Sequence, residues 1–101
     1  MQFGLKDTVI EQIQAVFAKH EYVEEVILYG SRAKGNHKPA SDIDLTIKGK
    51  DLNLSILYKI ENELDDLLLP YTIDLSLFQQ LSNPDLVDHI QRVGQVFYQK
   101  K

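Results

Sequence analysis

Leu28-Tyr29-Gly30-Ser31-Arg32-Ala33-Lys34-Gly35, followed after a short loop by Ser41-Asp42-Ile43-Asp44-Leu45, is the stretch that decides the fold. Val26-Ile27-Leu28-Tyr29 is too continuously apolar for a solvated edge. Such a run suits a strand that is covered on both sides or central in its sheet. Gly30 stops it, and Ser31 to Lys34 predicts one helical turn that Gly35 ends. Glycine lets a backbone approach a ligand closely, and N–H groups at the start of such a turn can point at phosphate oxygens. Beyond the loop containing Pro39, Ile43, Leu45 and Ile47 alternate with Asp42, Asp44, Thr46 and Lys48. Asp42 to Lys48 therefore reads as a strand with one apolar face.

Asp42 and Asp44 stand two apart on that strand, so both side chains leave the same face. Carboxylates crowded together repel one another unless a cation relieves them. A hard divalent ion prefers such oxygens, and Mg²⁺ combines a few carboxylates with substrate phosphates and water. Standing alone, an Asp-x-Asp reads equally well as two solvated acids, and a Gly-Ser turn as an ordinary strand-to-helix connection. Asp74 shifts that balance. In the predicted strand Tyr71–Phe78 it lies opposite Ile73, Leu75 and Leu77. If this strand neighbours the second one, Asp74 shares the open face with Asp42 and Asp44. There it serves as a third metal ligand or as the base that takes a proton from an attacking hydroxyl. The turn is not a Walker loop, because no Gly-Lys-Ser/Thr follows at the required spacing.

The flanking sequence supplies helices. Leu5, Val9, Ile13, Val16 and Phe17 recur at helical spacing and predict a helix over roughly 6–19, starting either with Thr8 and Glu11 as a capping box or earlier, at Asp7. Leu54, Leu57, Ile60, Leu64, Leu67 and Leu68 predict a second over 53–68, limited by Pro70. Asn83-Pro84-Asp85 is a helix start by cap, proline and dipole together. Gly94 ends that helix, and Val96–Tyr98 predicts a short last strand. The order implies one domain over 1–101 of class α/β (α+β): a small mixed sheet with helices packed on one face. The histidines His20, His37 and His89 show no metal-ligand spacing, and the five tyrosines read as core or boundary residues.

Composition narrows the function. There are 101 residues, 44% hydrophobic and 26% charged, with no cysteine. That excludes disulfides and Cys-based zinc or redox sites. The start MQFGLKDTVIEQ lacks a signal-peptide pattern, and no apolar run is long enough for a bilayer. These features lead to the expectation of a cytoplasmic protein without membrane contact. The net charge of −4 argues against direct nucleic-acid binding through phosphates.

The combination of GSRAKG, ten residues between Ser31 and Asp42, SDIDL and the later Asp74 resembles the minimal nucleotidyltransferases (MNT) of the polymerase-β-like superfamily. The likeness covers nearly the whole chain, and the full combination is far more specific than either half. It implies a polymerase-β-like palm. It also implies that Gly30, Ser31, Arg32, Lys34 and Ser41 bind the nucleotide. Asp42, Asp44 and Asp74 would be the catalytic carboxylates and ligands of Mg²⁺, with two ions expected. Lys34 stands where the family often has Arg, which keeps charge and loses bidentate contact. The implied reaction is attack of an acceptor hydroxyl on the α-phosphate of ATP, with pyrophosphate leaving.

Domains that bind primer, tRNA or antibiotic in larger members have no counterpart in this sequence. Small MNT proteins resemble the antitoxin halves of HEPN/MNT toxin–antitoxin pairs. The resemblance then implies transfer of AMP to a tyrosine of a helical HEPN RNase toxin, which silences it. Two alternatives are a non-catalytic antitoxin that blocks its partner by contact and a small-molecule, antibiotic-type nucleotidyltransferase.

Overall fold

The computed structural model describes residues 1–101. The elements run α1 (Asp7–Ala18), β1 (Glu25–Tyr29), α2 (Ser31–Lys34), β2 (Ile43–Lys48), α3 (Leu54–Asp65), β3 (Ile73–Leu77), a single 3-10 turn Phe78–Gln80, α4 (Pro84–Val93) and β4 (Gln95–Gln99). The four strands form one sheet in the order β3-β2-β1-β4. β1 is antiparallel to both β2 and β4, whereas β2 and β3 are parallel. The parallel pair needs a crossover, which α3 supplies. The expected mixed sheet is therefore present, with the motif strands β1 and β2 at its centre.

Alternation assigns the faces. Val26 and Leu28 of β1, Ile43, Leu45 and Ile47 of β2, and Leu75 and Leu77 of β3 join the main core. Ile10, Ile13, Val16 and Phe17 of α1 and Leu57, Ile60 and Leu64 of α3 pack against them, and Leu5, Val23, Ala33 and Phe97 complete the core. Each fully buried side chain of this size contributes about 1.5–3 kcal/mol. The one-sided packing expected of the helices holds for these two. α4 adds a second, smaller contact on the opposite face, where Ile90 packs on Ile27 and Tyr29. This follows from β1 being apolar on both faces, since one layer of helices leaves Ile27 and Tyr29 uncovered.

Boundaries shift for local reasons. α1 has Lys6 at its N-cap with no side-chain cap, so the expected Thr8–Glu11 capping box does not form. α3 is capped by Asn53, whose side chain accepts the Ile56 N–H at 2.9 Å. It ends at Asp65, short of the expected 68, because Leu68 turns left-handed at φ 54°. β3 is shorter than Tyr71–Phe78, since Phe78 enters the 3-10 turn. The Asn83 cap forms as read, accepting from the N–H groups of Asp85 and Leu86. No helix is long and apolar enough to cross a membrane.

Candidate active site

The site is built on one row of the sheet. Tyr29 pairs with Asp44, and Asp44 pairs with Asp74, so the three cross β1, β2 and β3 side by side. Directly paired residues share a face. Asp44 and Asp74 therefore stand together on the face opposite the main core. The next row, Ile27, Thr46 and Ser76, lies behind them. There the Ser76 hydroxyl donates to Thr46 Oγ1 at 3.0 Å, closing the polar layer beneath the acids.

Gly30 joins the two halves of the motif. Its backbone, at φ 76° and ψ −156°, occupies a region essentially reserved for glycine. A Cβ there would collide with the Asp44 carboxylate. Glycine at 30 and aspartate at 44 are thus two sides of one contact. Ser31 follows, half-buried, at the first position of α2. Gly35, at φ 85°, ends this single turn as expected.

The carboxylates sense one another. Burial pushes the Asp44 carboxyl above its usual range, and the charges of Asp74 and Asp42 push it further. Asp42 precedes β2 and is exposed, as is Asp74, while Asp44 is half-buried. No three acidic or histidine side chains close around one point, so the expected three-carboxylate cage is not formed by these side chains alone. The donor set nonetheless fits Mg²⁺, which takes one or two carboxylates together with phosphate and water. It also fits because a cation offsets both the burial and the neighbouring charges that raise Asp44.

Two residues expected at the nucleotide serve the protein itself. Arg32 is 2% exposed. Its Nε and Nη2 donate to the Ser41 carbonyl at 3.2 and 2.9 Å, Nη2 also to the Pro39 carbonyl at 3.2 Å, and Nη1 to the Phe3 carbonyl at 2.8 Å. Its guanidinium lies 5.2 Å from the Tyr71 ring centroid. A loop such as 36–41 has no ladder to satisfy its carbonyls, and the planar fork of Arg32 does so. A guanidinium so committed does not face a phosphate. Ser41 is committed too. Its Oγ accepts the Lys38 N–H at 2.8 Å, and its carbonyl holds Arg32. Together they clamp the segment that delivers Asp42. Lys34 is exposed and remains the motif cation open to a ligand.

Two residues outside the expected set belong to the site. Burial pushes the Tyr29 hydroxyl above its ordinary ionisation range, opposed by the nearby Ser76 hydroxyl and reinforced by the charges of Asp74 and Asp44. It shares the row and the sheet face of both acids. His89 of α4 accepts the Gly30 N–H on Nε2 at 3.1 Å. Only the register of the strands shows the first. The second had a faint signal, since His89 flanks the Leu86–Ile90 apolar stripe of α4. The surface clefts lie elsewhere. The largest opens between Glu25, Lys48, Lys50, Gln79 and Lys100, at the other end of the strands.

The family model for "Polymerase beta, Nucleotidyltransferase" matches residues 11–101. The chain belongs to that family. As a polymerase beta-type nucleotidyltransferase domain, it shares its fold with several solved structures. A crystal structure of a toxin–antitoxin with AMP-PNP superposes with a TM-score of 0.70 at 19% identity, covering 96% of this chain and 76% of that one. A structure of the toxin–antitoxin MntA–HpeT gives 0.69 at 17% identity, with the same coverage. A candidate nucleotidyltransferase from Sulfolobus solfataricus gives 0.58 at 22% identity, covering 90% of this chain and 77% of that one. No curated protein matches in sequence.

Proposed function

We propose that this nucleotidyltransferase domain is the antitoxin of a toxin–antitoxin pair and transfers AMP from ATP to a tyrosine of a helical, HEPN-type toxin. The observation that carries the chemistry is the meeting of the Gly30–Ser31 turn with Asp44 and Asp74 at one end of the sheet. The likeness in fold to MntA–HpeT and to a toxin–antitoxin with AMP-PNP supports the partner and the nucleotide.

Phosphoryl-type transfer needs positioning and charge neutralisation more than covalent help. The backbone and hydroxyl of Ser31 bind the triphosphate, and Lys34 adds a cation at the open side. Asp42 and Asp44 would hold Mg²⁺, which when bound would neutralise phosphate charge and activate the acceptor hydroxyl. Asp74, exposed at the edge of the row, takes the proton of the acceptor hydroxyl as its oxygen bonds to the α-phosphorus and pyrophosphate departs. Burial and the charges of Asp74 and Asp42 disfavour the ionised form of Asp44, which a bound cation would relieve. The site lies outside the main clefts. A protein surface laid over it would bring the acceptor and exclude water.

The test incubates the chain with the product of its neighbouring gene, ATP and Mg²⁺, and weighs the partner. A gain of one AMP on a partner tyrosine, lost in Asp42→Ala and Asp44→Ala, is expected. Neutralisation of the partner with no mass gain, and unaffected by those substitutions, would replace catalysis with contact inhibition.

A further inference from the structure

His89 lies outside the motif, and the transfer chemistry assigns it no step. Its Nε2 accepts the Gly30 N–H at 3.1 Å, and its ring stands edge-on to Tyr29 with centroids 6.3 Å apart at 80°. A backbone N–H only donates, so Nε2 carries the lone pair and Nδ1 the proton. The other sides of Gly30 are occupied as well. Its carbonyl accepts the Lys34 N–H at 3.1 Å, and the Asp44 carboxylate fills the place of a side chain.

Glycine in a sparsely populated backbone region has many alternatives, and such a conformation persists only where surrounding contacts over-determine it. The bond from the Gly30 N–H to His89 is one such tertiary contact, beside that of the Asp44 carboxylate. α4 is a firm anchor for it, capped by Asn83 and seated through buried Ile90 on Ile27 and Tyr29. The consequence reaches the ligand through the turn. A rotated Gly30 peptide would move Ser31 and release the close approach to Asp44.

We propose that His89 is a positioning residue of the nucleotide site. It holds the Gly30 N–H, fixes the peptide that presents Ser31, and leaves the triphosphate to groups from Ser31 onward. This rests on the reading of the Gly30–Ser31 turn as the triphosphate site.

Wild type, His89→Ala and His89→Gln test it, since the Gln Oε1 is an acceptor of similar reach. Affinity for Mg²⁺–AMP-PNP is measured by calorimetry at a temperature where all three are folded by circular dichroism. KM and kcat for AMP transfer are measured alongside. Loss of one such bond weakens nucleotide binding about tenfold. The Ala variant is expected to raise Kd and KM by that factor with kcat within about twofold, and Gln to recover most of it. The Gly30 amide should exchange faster with solvent in Ala than in wild type or Gln. Equal affinity of Ala and wild type overturns the role of His89 alone. So does a Gln variant as weak as Ala. A folded wild type that binds no nucleotide overturns the triphosphate site, and this inference with it.

Discussion

Replacing Arg32 by alanine separates a structural clamp from a phosphate contact. The side chain is 2% exposed and donates four hydrogen bonds to three backbone carbonyls, from Phe3, Pro39 and Ser41. Bonds to a charged group are worth about 1.5–3 kcal/mol each, and carbonyls left unpaired add a penalty. Relief from burying a charge offsets part of this. The net expected cost is about 3–5 kcal/mol, a large share of the roughly 5–15 kcal/mol that holds such a domain. At a urea slope of about 1–3 kcal/mol/M the unfolding midpoint should fall by at least about 1 M. Arg32→Lys keeps the charge but not the planar fork, and should lose about 2 kcal/mol. Urea unfolding followed by circular dichroism is read beside the affinity for a Mg²⁺–nucleotide. A phosphate contact would behave in the opposite way, since an exposed substitution changes stability by only about 0.5 kcal/mol. A midpoint that barely moves while nucleotide affinity collapses would refute the clamp.

Three further outcomes follow from particular residues. Asp44→Asn should abolish transfer yet raise the melting temperature of the metal-free protein at neutral pH. The folded protein raises the Asp44 carboxyl, so its contribution favours the fold at low pH and is lost as pH rises through that raised value. The advantage of Asn should therefore shrink as pH falls through the carboxylate range, and a less stable Asn variant at pH 7 would sink this account. Gly30→Ala should cost about 2 kcal/mol or more and remove nucleotide binding, because its Cβ meets the Asp44 carboxylate in a glycine-only conformation. Calorimetry reads both effects, and an Ala variant with wild-type affinity would refute the contact. Leu68→Gly should stabilise by about 0.5–1 kcal/mol, or about 2–8 °C, since Leu68 is 88% exposed in a left-handed backbone that costs a leucine about 1–2 kcal/mol. A thermal melt without a rise would contradict the strain.

The layout was legible wherever periodicity and punctuation agree. Alternation in Ile43–Ile47 and Ile73–Leu77 placed the core face, and Asn83-Pro84 placed the start of α4. The neighbourhood of Asp44 and Asp74 followed once β2 and β3 were paired. What a motif does not carry is direction. A one-turn helix aims its second residue back at the loop, so Arg32 supports Ser41 where the family resemblance implied a nucleotide contact. Second-face packing was hidden as well. Nothing in the spacing of α4 says that it crosses to the Ile27–Tyr29 side and brings His89 to Gly30. The end of α3 was overrun because Leu67 and Leu68 continue the apolar period while the backbone has already left the helix.

The edge position of β3 has a consequence for dynamics. β1 and β2 are flanked by strands on both sides, but β3 is held by β2 alone. Edges open locally at lower free energy than sheet centres. An opening confined to β3 withdraws Asp74 while the Gly30–Asp44 contact, carried by the two central strands, stays intact. Amide exchange should accordingly be slowest in β1 and β2 and faster in β3. Asp74 then fluctuates independently of the Gly30–Ser31 turn, and under the transfer proposed above an acceptor protein that seats against β3 would hold that carboxylate in place only when it arrives.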